Sequence, residues 1–199
     1  MKWILFLFDL KIVLDFSCVD DCSKCCIERE YYPTVKFGKI GVLILPHEKQ
    51  QIELLAKKYG FKANILPRIG VSDQETDEPE QVLAFQLMGK ESNGNTCPFL
   101  DTEGNERSPH GGYKCKIYHN RPTACKAYPL IETLPIVLDQ KCKFCEICKN
   151  PKGNLNSESE SLVKIKNMME TKSRYLWRYA TGICEEEDKD MTKTGWFLV

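Results

Sequence analysis

Between residues 41 and 60 the chain reads "GVLILPHEKQQIELLAKKYG". Val42 to Leu45 form an unbroken apolar run that Pro46 stops, which predicts a short strand. Ile52, Leu55, Ala56 and Tyr59 then recur at helical spacing, and Gly60 is placed for the left-handed conformation that ends a helix. Upstream, Leu10, Ile12, Leu14 and Phe16 interleave with Lys11, Val13 and Asp15, the pattern of a buried strand. Downstream, Ser72 to Glu80 are acidic and turn-rich, a solvated loop, before Val82 to Met88 return as a strand. Ile131 to Leu138 form another apolar run and predict one more strand. From Ser157 the period lengthens: Leu162, Ile165, Met169, Leu176 and Tyr179 predict one long helix over 157–183, with Ser157 or Ser159 as N-cap and Gly182 as its stop. The acidic run "EEEDKD" after it reads as a solvated tail. The elements predict an α+β fold: a small, loop-rich single domain over 1–199, with a cysteine-rich core over about 16–150 and a C-terminal helical extension.

Charge changes this picture little. Lysine plus arginine and aspartate plus glutamate number 28 each, so no overall field attracts nucleic acid or an acidic membrane face. The opening "MKWILFLFDL" holds one short apolar run, Trp3 to Phe8. Asp9, Lys11 and Asp15 break it, whereas a membrane span needs roughly 20 apolar residues and a secretory signal a longer apolar stretch ending in small residues. The expectation is a cytoplasmic protein without a membrane partner.

Cysteine changes it a great deal. The chain has 11 cysteines and 3 histidines, and in a reducing compartment thiols stay unpaired unless a metal holds them. They fall into groups: Cys18, Cys22, Cys25 and Cys26; Cys97, Cys115 and Cys125; Cys142, Cys145 and Cys148; and Cys184 alone. The first group contains C-x3-C-x2-C and the third C-x2-C-x2-C. Such triplets suit a loop wrapped around a cube-shaped iron-sulfur cluster, whose corners each take one sulfur. A single zinc draws on four ligands at tetrahedral angles, commonly two separated pairs. Ten grouped thiols exceed one four-ligand centre, so two centres are expected. Neighbouring side chains in extended backbone face opposite ways, so Cys25 and Cys26 need not serve one metal corner. Cys184 reads as a small buried hydrophobe.

The segment "KCKIYHNRPTACK" carries Lys114, Lys116, Arg121 and Lys126 without an acid, and such cations lower thiol pKa and offset thiolate charge. A solvated basic loop explains them equally well. His119, between Cys115 and Cys125, is a candidate ligand or proton carrier, though a surface histidine is the commoner case. His47 and His110 have no catalytic partner in sight. Neither a nucleophilic triad nor a phosphate loop nor a dinucleotide fingerprint is present.

Three stretches, "FSCVDDCSKCC", "CPFL" and "CKIYHNRPTACKAYP", together resemble the YkgJ-type cysteine-cluster family, a zinc- or iron-chelating domain of the CxxCxxCC type. The resemblance spans about Phe16 to Cys148. It implies eight ligand cysteines, seven of them Cys18, Cys22, Cys25, Cys26, Cys97, Cys115 and Cys125, with the eighth among Cys142, Cys145 and Cys148. The fuller triplet around Cys145 departs from the family pattern. One branch of the family resembles flagellin lysine methylase, and nothing in this chain connects it to that activity. Within the matched segment Arg121, Tyr118 and Tyr128 are the candidates for groups that orient ligands and tune the centre.

Three functions follow as expectations. The first is an iron-sulfur protein, with a 4Fe-4S cluster serving redox chemistry or a cluster-supported reaction of an oxidoreductase kind, and with a redox or protein partner. The alternative is a zinc-binding structural or regulatory module. The third, a radical S-adenosylmethionine enzyme, shares the C-x3-C-x2-C spacing. Lys24 stands where those enzymes carry an aromatic residue, Cys26 is surplus, and the repeated strand-helix units of their partial barrel are missing.

Overall fold

The computed structural model describes residues 21–27, 41–89, 96–108, 111–140, 142, 155–181 and 194–199. The expected strand near Leu10, the acidic tail, and the positions Cys18, His110, Cys145, Cys148, Gly182 and Cys184 lie outside these residues.

In chain order the elements are α1 (Lys24–Ile27), β1 (Val42–Ile44), α2 (Pro46–Lys58), β2 (Ile65–Ser72), β3 (Gln81–Leu87), β4 (Leu100–Asp101) and β5 (Lys114–Cys115). A short 3-10 turn (Tyr118–Asn120) precedes α3 (Thr123–Ala127), β6 (Leu130–Thr133), β7 (Ile136–Leu138), α4 (Asn156–Met169), β8 (Tyr175–Thr181) and β9 (Thr194–Leu198). Helices and antiparallel sheets share the chain, as an α+β fold requires. The main sheet runs β1-β3-β2-β8-β9, with β4-β5 and β6-β7 as separate two-stranded ribbons.

The predicted β1 and α2 form where the pattern put them. Pro46 opens α2, where its missing N–H costs nothing, and Gly60 takes φ 79° just past its end. β1 pairs with β3 in the register Val42↔Leu87 and Ile44↔Phe85. This places Ile44, Ile52, Ala56 and Leu87 in one core with Phe99, Leu100 and Ile117. Cys97 belongs to that core, and Cys26, Cys115 and Cys125 pack against it. The cysteines therefore sit on the flank of the apolar centre.

Several elements depart from expectation. The helix expected over 157–183 ends at Met169, because Glu170 turns to extended backbone (ψ 127°). Leu176 and Tyr179 belong instead to β8, which pairs with β2 through Ile69↔Arg178 and with β9 through Tyr179↔Trp196. Buried Trp177 fixes that strand, its Nε1 donating to Ser72 Oγ at 2.9 Å. Neither Ser157 nor Ser159 caps α4, since the N-cap position is Leu155, an apolar anchor that is buried. The single strand expected over 131–138 is a hairpin of β6 and β7 in the register Thr133↔Ile136, turned at Leu134 and Pro135. β2 was not expected at all. It carries Pro67 and Gly70 inside a strand, which the sheet tolerates through register shifts on either side of Ile69.

Candidate metal centre

The first thiol group starts from a turn. Asp21 has φ 58°, a left-handed conformation that short polar side chains tolerate, and the chain then winds into α1. Ser23 O accepts from the backbone N–H groups of Cys26 and Ile27, closing the single helical turn that carries Cys25 and Cys26. Because this backbone is helical, the two neighbouring thiols do not face opposite ways: their Sγ atoms are 3.9 Å apart. That corrects the expectation drawn from extended geometry.

The second group is tied to the first by backbone. Cys97 N donates to Cys26 O at 2.8 Å, and Lys116 N donates to Phe99 O at 2.9 Å. Leu100 pairs with Cys115 across β4 and β5. Cys125 sits in α3, its N–H donating to Pro122 O at 2.9 Å. Cys142 arrives by a further turn, its N–H bonded to Asp139 O, while Asp139 N–H is bonded to Pro129 O.

These connections bring thiols from all three groups to two adjoining cavities. The smaller, about 50 Å³, has apolar walls from Val42, Leu87, Phe99 and Ile117 and is bordered by Cys25, Cys26, Cys97, Cys115 and Cys125. The larger, about 160 Å³, adds Cys22 and Cys142. It exceeds by far the roughly 10–15 Å³ that one water-sized body requires. Cys25, Cys26, Cys115 and Cys125 border both. Among the described residues no three potential ligands close on a single point, so the thiols line a shared space and are not drawn into a finished tetrahedron.

Electrostatics reflect the burial of the site beside the apolar core. Burial, the largest influence, pushes the Cys115 thiol up to about 11, and the neighbouring Cys26 and Cys125 push the same way, against Arg121. Arg121 is held in place: its Nε donates to Tyr118 O at 2.8 Å and its guanidinium lies 3.9 Å from the Tyr118 ring centre. Arg121 and Tyr128 border both cavities, and Tyr118 the larger, together with the cations Lys24 and Lys126. Each of the three positions expected around the ligands is therefore at the cavity wall. His119 is exposed and meets Tyr118 edge-on; it borders neither cavity, and His47 is likewise exposed.

Glu48 was not singled out from sequence, and it secures the frame. It is buried at the first turn of α2, where Oε2 accepts from Leu45 N at 3.0 Å. Its Oε1 accepts from Thr123 N at 2.8 Å and Thr123 Oγ1 at 2.6 Å. One carboxylate thus ties the start of α2 to the start of α3, two residues before Cys125. The sequence offered half of a capping box, a glutamate three residues after the N-cap, but leucine at the N-cap hid it. Gly112 lies tight against Cys22 and Ser23: a Cβ there would come 2.3 Å from Cys22 O.

The donor set fits zinc or iron. It is sulfur from several segments, half-buried, beside an apolar core and ringed by cations, and such soft ligands select these metals over calcium or magnesium. The fold and the site thus define a cysteine-rich metal-binding protein. A family model described as "Putative zinc- or iron-chelating domain", of the CxxCxxCC type, matches residues 17–143, and the chain belongs to that family. No solved structure matches the chain. Among the described residues no helix is long and apolar enough to cross a membrane.

Proposed function

We propose that the protein holds a polynuclear iron-sulfur centre, 4Fe-4S in type, in the thiol-lined space and uses it in redox or cluster-supported chemistry with a protein partner. The observation that carries this is the room beside the sulfurs: the larger cavity, about 160 Å³, is bordered by Cys22, Cys25, Cys26, Cys115, Cys125 and Cys142, enough thiols for the four corners of a cluster and more space than a single ion fills. The triplet spacing of the first group supports it too. Cys18, Cys145 and Cys148 remain part of the proposed ligand set. Arg121, Lys24 and Lys126 would offset the negative charge of several thiolates, and the two tyrosines would shield the centre from solvent. A cytoplasmic location belongs to the same proposal, because a reducing compartment keeps cysteines available to metal.

One observation favours zinc as the second reading. Ligands about 2.3 Å from a tetrahedral zinc lie about 3.8 Å from each other, and the Cys25 and Cys26 sulfurs are 3.9 Å apart. On that reading the pair occupies one edge of a single-ion site and the centre stabilises the fold without doing chemistry. Purification without oxygen, followed by iron, acid-labile sulfide and zinc analysis, separates the two. Iron and sulfide in near-equal amounts with a broad visible absorbance is the expected result. Stoichiometric zinc without sulfide transfers the site to the second reading, and a chain free of both metals contradicts each.

A further inference from the structure

The larger cavity has one end that sulfur chemistry does not explain. Ser23 is 7% exposed, and its Oγ has no hydrogen-bond partner among the described residues. Glu158 Oε2 is buried and also without one. Both residues border the larger cavity with Cys22 and Cys142. A buried carboxylate oxygen left unpaired is costly, and two orphaned oxygens in one wall point to a polar or cationic occupant.

Glu158 stands in the first turn of α4. A glutamate there ordinarily turns back onto the helix's own N–H groups, yet Oε2 makes no such bond. α4 packs instead against α3 and β6, and this docking carries the first turn of α4 to the cavity that Cys125 borders. The residue lies beyond positions 17–143, the segment that the family model covers.

We propose that Glu158 supplies a carboxylate oxygen to the metal held in the larger cavity, making its ligand set mixed sulfur and oxygen. A carboxylate is a competent ligand for zinc and for iron. It is also harder and more readily exchanged than a thiolate, so the metal position facing Glu158 is the one open to an incoming ligand. The C-terminal helix then completes the centre that the cysteine segment begins. This inference rests on the metal-binding reading above.

The test uses the full chain with the iron or zinc that copurifies, under exclusion of oxygen. X-ray absorption at that metal's edge is expected to show an oxygen shell, at about 2.0–2.2 Å for zinc, beside a sulfur shell at about 2.3 Å. Glu158→Gln, with its fold checked by circular dichroism, is expected to lose metal to a chelator about tenfold faster, Glu158→Asp to fall between, and the exposed neighbour's variant Glu160→Gln to behave as wild type. An all-sulfur shell in the wild type overturns the proposal and leaves metal binding intact, and it does so even if Glu158→Gln fails to fold. An oxygen shell with wild-type metal retention in Glu158→Gln also overturns it, the oxygen then being water's. A purified chain with neither metal overturns this proposal and the reading beneath it together.

Discussion

Cys115 shows how burial and metal binding compete over one proton. Its thiol is pushed up to about 11, first by burial, so near neutral pH it carries a proton that an incoming metal must displace. Raising pH lowers the cost of that displacement. Metal affinity should therefore rise with pH, and binding should release protons, seen in calorimetry as a heat that depends on the ionisation enthalpy of the buffer. For the metal-free chain the sign is opposite. Between the ordinary thiol value near 9 and about 11 the unfolded form ionises more readily, so Cys115 subtracts stability over that window. Glu48 is the other residue on which the site depends. Removing its carboxylate in Glu48→Ala leaves Leu45 N–H, Thr123 N–H and the Thr123 hydroxyl without their acceptor. The expected loss is about 2–3 kcal/mol in chemical denaturation, with Glu48→Gln losing less because an amide oxygen still accepts.

At the scale of elements, the parts legible in the sequence were those with local signals that agree. β1 and α2 had an apolar run, a proline stop, a helical stripe and a terminal glycine, all at consistent positions. β2 was hidden because Pro67 and Gly70 both argue against a central strand, and only pairing with β3 and β8 resolves that conflict. β8 was mistaken for helix because Leu176 and Tyr179 extend the spacing of Leu162 and Met169, and no glycine or proline marks the break at Glu170. The docking of α4 on β6 adds an electrostatic link: Lys166 Nζ lies 2.5 Å from Glu132 Oε1. That bond, with help from Thr133 N–H, holds the Glu132 carboxyl down to about 2. The stability it contributes is complete above about pH 4.5 and is lost as pH falls through about 2. The Tm difference between wild type and Glu132→Gln should accordingly be constant near neutrality and shrink through that acid window. A difference unchanged at pH 2 would show that the link is not what Glu132 contributes; both side chains are partly solvated, so the effect is modest.

For the whole molecule, the sequence grouped the thiols, and seven of those cysteines border two adjoining cavities. It did not show the frame. Glu48 reaches Thr123 from a distant helix, and Ser23 and Glu158 come to one cavity wall from opposite ends of the chain; no spacing rule reports either. Central to the proposed function is that thiols from separate segments share one inorganic centre. Differential alkylation read by mass spectrometry tests this most directly, comparing the metal-loaded chain with the same chain after chelation. Cys22 and Cys25 from the first segment and Cys125 from the second should be protected together and become reactive together when the metal leaves, while Cys115, its thiol pushed up to about 11 by burial, reacts slowly in both states. Reactivity of those first three thiols that chelation does not change, or that changes in one segment alone, would contradict the shared centre.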